Sequence, residues 1–296
     1  MTDRISIARV GLVAKRGLTA ASGVLGELAS WLAARGITPV FDEDTARLAG
    51  SESTHRTVSR EDLPSASDLV IVLGGDGTLI GMADRIASAD VDVPILAVNY
   101  GSLGFLTEIT LPELFEALDD TISGRASVHA RAMLAVRTLR RGAVFADHVV
   151  LNDMVITKGA LSRIIEIAVM VDDLPVMTIR ADGLIVASPT GSTAYNLAAG
   201  GPIVHPSVDA MLLTPIAPHT LTNRPIVIPG GSHVQVRPIM DGHDEVFVTF
   251  DGQSGFPLRR DDVVNVRRAA RPIRIIKSAR RTYFELLREK LKWGGG

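Results

Sequence analysis

The 296-residue chain is 46% hydrophobic and nearly balanced in charge, with 31 Lys and Arg against 33 Asp and Glu. That length and composition suffice for two ordinary domains with real cores, and the charge balance announces neither a nucleic acid nor an anionic membrane as partner. With no cysteine in the chain, disulfides, thiolate metal sites and a cysteine nucleophile are excluded. The N-terminal "MTDRISIARVGLVAKRG" has no signal-peptide layout, because its apolar run is short and interrupted by Arg9. No stretch approaches the roughly 18 unbroken apolar residues of a membrane span. A soluble, cytoplasmic protein is expected.

Along the chain, "ISIARVGLVA" (5–14) is rich in β-branched and apolar residues and reads as a strand. Ala21, Val24, Leu25, Leu28 and Leu32 then follow a helical period that Gly36 stops, and "ITPVF" is short and strand-like. Residues 42–67 are mostly polar without clear period and read as a surface excursion. "DLVIVL" is a buried-strand run with a helix expected over 78–88, and "PILAVN" (94–99) is a further strand. "LPELFEALDDTISG" (111–124) reads as a helix with Pro112 in its first turn and Gly124 at its end. Near-continuous apolar strands alternating with helices imply a doubly wound, mostly parallel sheet covered on both faces.

Near residue 126 the texture changes to short β-like runs separated by turn signals such as Arg-Gly, Asp-Asp, Pro-Gly-Gly and Asp-Gly. The expected organisation is therefore an α/β domain over 1–126, a β-rich domain over 127–268, and a C-terminal segment over 269–296. In that last segment "TYFELLREKLKW" is expected to form a helix with Phe284, Leu287 and Leu291 on the face that packs back on the first domain.

Four stretches carry candidate chemistry. Gly74-Gly75-Asp76-Gly77-Thr78 follows a parallel strand and precedes a helix, where open α/β sheets present ligands. Glycine costs conformational entropy when ordered, so three around one aspartate imply either positive φ in a tight turn or backbone that must lie against phosphates. A plain βα turn with Asp76 or Thr78 as helix N-cap is the structural alternative. The stretch is neither a Walker A loop nor a Gly-x-Gly-x-x-Gly fingerprint. "NYGSLGFLTE" (99–108) occupies the same end of the next strand and offers Phe105 as an apolar wall for a base. "LNDMVITKG" (151–159) places Asn152 beside Asp153, and a carboxylate with a neighbouring amide suits the two hydroxyls of a ribose; an ordinary turn is the alternative. "RADGLIVASPTGSTAYNLAAGGP" (180–202) packs small hydroxyl residues around Gly191, with a helix start near Ser192 and the Tyr195 ring for stacking. It lacks the Gly-x-Ser-x-Gly elbow, so a narrow polar pocket fits better than covalent catalysis.

GGDGT, "NDMVITKG", "DGLIVASPTGSTAYNLAAGGPIV", "PHTLTNRPIVIP" and "FVTFDGQ", in that order, resemble the bacterial NAD kinases, from about residue 68 to the C-terminal "YFELLREKLKWGG". The resemblance implies phosphoryl transfer from ATP, or from inorganic polyphosphate, to the adenosine-ribose 2′-hydroxyl of NAD, with a divalent ion such as Mg²⁺. It further implies a homodimer or homotetramer. Carried over by position, Asp76 is the proton acceptor and Gly77 lies against the dinucleotide. Asn152 and Asp153 match the ribose-holding pair, and Arg163, Arg180 and Asp182 match further dinucleotide positions. Thr193, Ala194, Tyr195, Asn196, Leu197 and Ala198 match the segment that wraps NAD, and Gln253 matches a last contact. Asn-Asp stands where many members have Asn-Glu, which shortens a carboxylate by one methylene. Ser102 stands where Arg or Asn is frequent, which puts any contact of that side chain in doubt. GGDGT alone is shared with diacylglycerol-type lipid kinases, which remain the alternative enzyme. A sensor that binds NAD or NADP without turnover is the alternative outside catalysis.

Overall fold

The computed structural model describes residues 7–101, 103–159, 162–220, 222–241, 245–278 and 280–293. The chain divides into two compact units, the first made of residues 1–130 and 273–296 and the second of residues 131–272.

The first unit is built on buried apolar strands: β1 (Arg9–Ala14), β2 (Thr38–Asp42), β3 (Arg56–Val58), β4 (Leu69–Gly74), β5 (Ile95–Asn99), the short β6 (Ile109–Thr110) and β7 (Val128–Arg131). Helices α1 (Ser22–Ala33), α2 (Glu43–Ala49), α3 (Asp76–Ser88) and α4 (Leu114–Ile122) connect them. Strand order runs β3-β2-β1-β4-β5, with parallel pairing throughout this stretch and β6 parallel on β5. The order reverses between β1 and β4, whose carboxyl ends lie side by side with Ala14 paired to Leu73. Such a reversal opens a crevice beyond the strand ends. All six residues of β4 are buried, as its unbroken apolar run requires.

Residues 42–67 are not a surface excursion. Asp42 caps α2 by accepting from the Thr45 amide at 3.2 Å, Gly50 ends the helix at φ 64°, and Leu63 is fully buried. Arg60 pairs with the buried Asp42 at 2.5 Å, which ties the stretch to the sheet edge. The segment 111–124 divides into a 3-10 turn over Leu111–Glu113 and then α4, with Gly124 at φ 76°.

The second unit contains β8 (Leu134–Arg140), β9 (Ala143–Val150), β10 (Asp153–Lys158), β11 (Ile165–Val171), β12 (Leu174–Ala181), β13 (Gly183–Ala187), β14 (Ala210–Ile216), β15 (Ile226–Pro229), β16 (Val234–Ile239), β17 (Val246–Phe250), β18 (Ser254–Leu258) and β19 (Val263–Arg268). They form two six-stranded sheets, ordered β15-β14-β13-β10-β17-β18 and β12-β11-β16-β19-β8-β9. Alternate residues such as Ile165, Ile167 and Val169 point inward to meet Leu184, Val186 and Val248 of the other sheet in one core. This is the face-to-face packing of a β-sandwich.

The short α5 (Tyr195–Ala198) belongs to the second unit, and the chain returns to the first as β20 (Ile273–Ile276), parallel to β5. It ends in α6 (Tyr283–Leu291), started by a capping box between Thr282 and Glu285. The buried face of α6 is Tyr283, Leu286 and Leu287, whereas Phe284 is 66% exposed. The expected face was therefore turned, because Tyr283 at the helix start packs inward in place of its neighbour. Among the described residues no helix is long and apolar enough to cross a membrane.

Candidate functional site

In the first unit the glycine-rich stretch leaves β4 at the reversal point. Gly74 is the last residue of β4, Gly75 the N-cap and Asp76 the first residue of α3, so the helix begins two residues before the expected start. Neither Asp76 nor Thr78 caps it: the N-cap is Gly75, without a side-chain bond. Nor is positive φ the reason for the glycines, since Gly75 sits at φ −118° and Gly74 and Gly77 are not in the left-handed region. The reason is space. A Cβ at Gly75 or Gly77 would meet nothing within 4 Å, so the backbone here stays open to a bulky ligand, while at Gly74 it would press on Thr78 Oγ1 at 2.7 Å.

The Asp76 carboxylate turns toward the loop after β5. Its Oδ2 accepts from the Phe105 amide at 2.8 Å, and its Oδ1 accepts from the Leu106 amide at 3.2 Å, the Thr107 amide at 3.0 Å and the Thr107 hydroxyl at 2.9 Å. Gly104 makes this approach possible, because a Cβ there would stand 2.0 Å from Asp76 Oδ1. Phe105 is half-buried, and its ring lies 5.7 Å from Lys290 Nζ. Ser102 falls outside the described residues. On the other flank of the crevice stands Lys15, just beyond β1. Its amide donates to Leu73 O at 2.8 Å, and its exposed side chain has no ion pair among the described residues.

In the second unit Asn152 and Asp153 lie at the start of β10, strapped from two sides. Asp251 accepts from the amides of Leu151, Asn152 and Asp153 at 2.8, 2.7 and 2.9 Å. From the other side, Ser188 donates its amide to Asn152 O at 2.8 Å and its hydroxyl to Leu151 O at 2.5 Å. Gly191 must be glycine in this arrangement, since a Cβ would stand 2.1 Å from Asn152 O. The Asn152 and Asp153 side chains make no hydrogen bond among the described residues. Asp153 is only 4% exposed, and burial together with the neighbouring Asp251 charge pushes its carboxyl up to about 7.

The hydroxyl-rich segment is a 3-10 turn over Thr190–Thr193 followed by α5. Thr193 Oγ1 donates to Thr190 O at 3.4 Å, while the buried Thr190 Oγ1 has no partner among the described residues. Tyr195 is 45% exposed, Ala198 is exposed, and Ala194 and Leu197 are half-buried. Asn196 is fully buried: it donates to Ser192 O and Pro202 O and accepts from Thr214 Oγ1 at 2.6 Å, so its side chain staples the segment. Arg163 and Arg180 line one cleft of about 610 Å³ with Lys158, Ser162, His219 and Asp241. Asp182 lies 3.8 Å from Lys158 Nζ, and Gln253 is exposed in the turn between β17 and β18.

Residues 10–126 match the family described as ATP-NAD kinase N-terminal domain, and residues 151–278 match ATP-NAD kinase C-terminal domain. The chain belongs to the NAD kinase family. It is 48% identical to the NAD kinase of Geotalea daltonii over 272 residues, covering 92% of this chain and 94% of that one. It is also 48% identical to the NAD kinase of Geobacter sulfurreducens over 286 residues, covering 97% and 99%. Among solved structures it resembles yeast NADH kinase complexed with NADH, at 25% identity and a TM-score of 0.87 over 98% of this chain and 89% of that one. An NAD kinase from Archaeoglobus fulgidus in complex with ATP, at 23% identity and a TM-score of 0.73, shares the fold over 96% of this chain and 98% of that one.

As an NAD kinase the chain phosphorylates NAD to NADP using ATP. Phosphoryl transfer asks a protein mainly to position groups and to stabilise charge. The first unit offers a fixed carboxylate beside open backbone and a cation. The second offers a carboxylate and an amide still in need of partners. The sequence marks Asp76 and Asp153 but not the groups that hold them, Thr107 and Gly104 for the first and Asp251 for the backbone of the second. The signals were present: Gly104 and Thr107 lie in "NYGSLGFLTE", and Asp251 opens the Asp-Gly turn of "FVTFDGQ".

Proposed function

We propose that Asp76 takes the proton of the adenosine-ribose 2′-hydroxyl of NAD as the ATP γ-phosphoryl group is transferred to that oxygen. The ribose oxygen forms its bond to the γ-phosphorus, the bond from that phosphorus to the β,γ-bridging oxygen breaks, and its electron pair leaves with ADP. The observation that carries the reading is the place of Asp76, partly exposed beside the sterically open Gly75 and Gly77 at the sheet's reversal point. Gly74, Gly75, Gly77 and Thr78 cradle the donor's phosphates, and Lys15, whose Cβ would stand 3.2 Å from a Cβ at Gly74, is a cation at hand for them. Gly77 and Phe105 border the dinucleotide.

Asn152 and Asp153 bind ribose hydroxyls, for which their unpartnered side chains are suited. Arg163, Arg180 and Asp182 act on the dinucleotide's charged and polar parts, as do Gln253 and the segment from Thr193 to Ala198. Inorganic polyphosphate presents the same phosphoanhydride chain as ATP and serves as a second donor. Among the described residues no group of three His, Cys, Asp or Glu could hold a metal ion. Mg²⁺ would be bound by the donor's phosphates and would neutralise their charge during transfer. We place the enzyme in the cytoplasm as a homodimer or homotetramer, with the exposed Leu174 and Val176 of edge strand β12 available as apolar contact surface.

The test is NADP formation by the purified protein with Mg²⁺, NAD and either ATP or polyphosphate, read by an NADP-specific dehydrogenase. NAD lacking the 2′-hydroxyl should give no product. A phosphorylated product from that analogue means that another hydroxyl is attacked and that Asp76 has a different role.

A further inference from the structure

A carboxylate offers about four acceptor positions, two on each oxygen. The chain fills those of Asp76 unevenly, with three donors on Oδ1 and one on Oδ2. We infer that the segment from Gly104 to Thr107 selects the reacting oxygen of Asp76, leaving Oδ2 as the proton acceptor, and that Thr107 is the positioning residue that makes the selection. This rests on the reading of Asp76 as the acceptor.

The selection is directional because each donor in the relay has its orientation set by the one behind it. The Gly101 amide donates to Asn99 Oδ1 at 2.6 Å, which turns the Asn99 amide nitrogen toward Thr107. Asn99 Nδ2 then donates to Thr107 Oγ1 at 3.0 Å. With that lone pair engaged, the Thr107 hydroxyl proton is directed at Asp76 Oδ1, 2.9 Å away. Thr107 is fully buried and Asn99 is 7% exposed, so water does not compete for these bonds. Gly104 completes the clamp: a Cβ there would stand 2.0 Å from Asp76 Oδ1 and 2.4 Å from Thr107 Oγ1. Oδ1 is thus enclosed and saturated, and the remaining acceptor position belongs to Oδ2.

The experiment compares Thr107→Val, Thr107→Ser and Asp76→Asn for kcat, for KM of NAD and ATP, and for thermal unfolding. Thr107→Val keeps the shape and removes one hydrogen bond to a charged group, so kcat should fall about tenfold or more while both KM values stay within about twofold. Thr107→Ser restores the hydroxyl and should recover most of the loss. A Thr107→Val kcat within about twofold of wild type overturns the inference, as does a Ser variant as impaired as the Val variant. A rise in kcat also overturns it, because the clamp would then be withholding the carboxylate. If Thr107→Val does not fold, Asn99→Asp supplies the test: it swaps the donor to Thr107 for an acceptor that draws the hydroxyl away from Asp76, and kcat should again fall. Wild-type turnover in Asp76→Asn would sink the assignment of Asp76 itself, whereas its loss alongside an unaffected Thr107→Val sinks only the clamp.

Discussion

Asp76 opens a helix and Asp153 opens a strand, and the chain treats the two carboxylates in opposite ways. Asp76 receives four hydrogen bonds from a single neighbouring loop and is partly exposed. Asp153 is buried, has no side-chain hydrogen bond among the described residues, and faces the charge of Asp251. The first is fixed before any substrate arrives. The second lacks compensation within the chain, which is what the proposed ribose contact would supply. The difference follows from the scaffolds. A parallel sheet sends successive loops past the same carboxyl edge, so the loop after β5 can supply amides to a residue just beyond β4. In the sandwich the antiparallel turn between β17 and β18 uses its own aspartate to hold backbone, and the adjacent side chain is left bare.

The largest expected effect breaks the comparison on the Asp76 side. Asp76→Asn keeps the shape and removes the proton acceptor, so turnover should fall by ~10²–10⁴. NAD affinity, measured by calorimetry, should change far less. Equal losses in both would erase the distinction between a group that acts in turnover and one that acts in binding.

Much of this contrast was legible in the residues, but unevenly. Glycines around Asp76 at the end of an unbroken apolar run marked both the strand end and the open backbone. The pairing of Asn152 with Asp153 marked a polar exception within a β region. What holds each carboxylate was not legible, because those contacts join residues far apart in the chain: about 30 positions separate Asp76 from Thr107, and 98 separate Asp153 from Asp251. Residues 42–67 hide their structure for another reason. The helix α2 is only seven residues long and buries just Thr45 and Ala46, too few to show a period. Its signals were local ones, the Asp42 cap and Gly50. The turned face of α6 has the same origin, since a nine-residue helix fits more than one apolar stripe.

Next in size is the strap in the second unit. Asp251→Ala leaves the amides of Leu151, Asn152 and Asp153 without their acceptor, and an unsatisfied buried donor costs about 1–3 kcal/mol. A stability loss on the order of 3 kcal/mol or more is expected in denaturant titration, together with weakened NAD binding. Unchanged stability would mean that the three amides find water or other partners and that Asp251 is not what holds the pair.

Asp153 itself should show the opposite sign. Its carboxyl is raised from an ordinary value of 3.8 to about 7, so between those values the folded state keeps a proton that the unfolded state has released. Stability therefore falls as pH rises through that window, by up to roughly 4 kcal/mol, and the cost is present in full above it. Asp153→Asn removes the ionisation. It should be more stable than wild type at pH 8 and near wild type at pH 4, while binding NAD less tightly. A wild-type pH profile in the Asn variant would show that the buried charge is relieved in some other way.

The smallest expected effect is that of Phe284, in the C-terminal helix. Phe284→Ala removes a ring that is 66% exposed and should shift stability by no more than about 0.5 kcal/mol. Leu286→Ala, from the buried face of α6, should cost about 2–5 kcal/mol. Reversed magnitudes in thermal unfolding would return the helix to the face expected from its sequence.

The central claim is that Asp153 stands uncompensated until substrate binds, in contrast to Asp76. A carboxyl-carbon NMR titration of Asp153, without and with saturating NAD, tests it directly. The account expects a midpoint near 7 in the free protein and a clear fall once NAD is bound, as ribose hydroxyls donate to the ionised form. A free-protein midpoint near the ordinary 3.8, or one that NAD leaves unmoved, would contradict it.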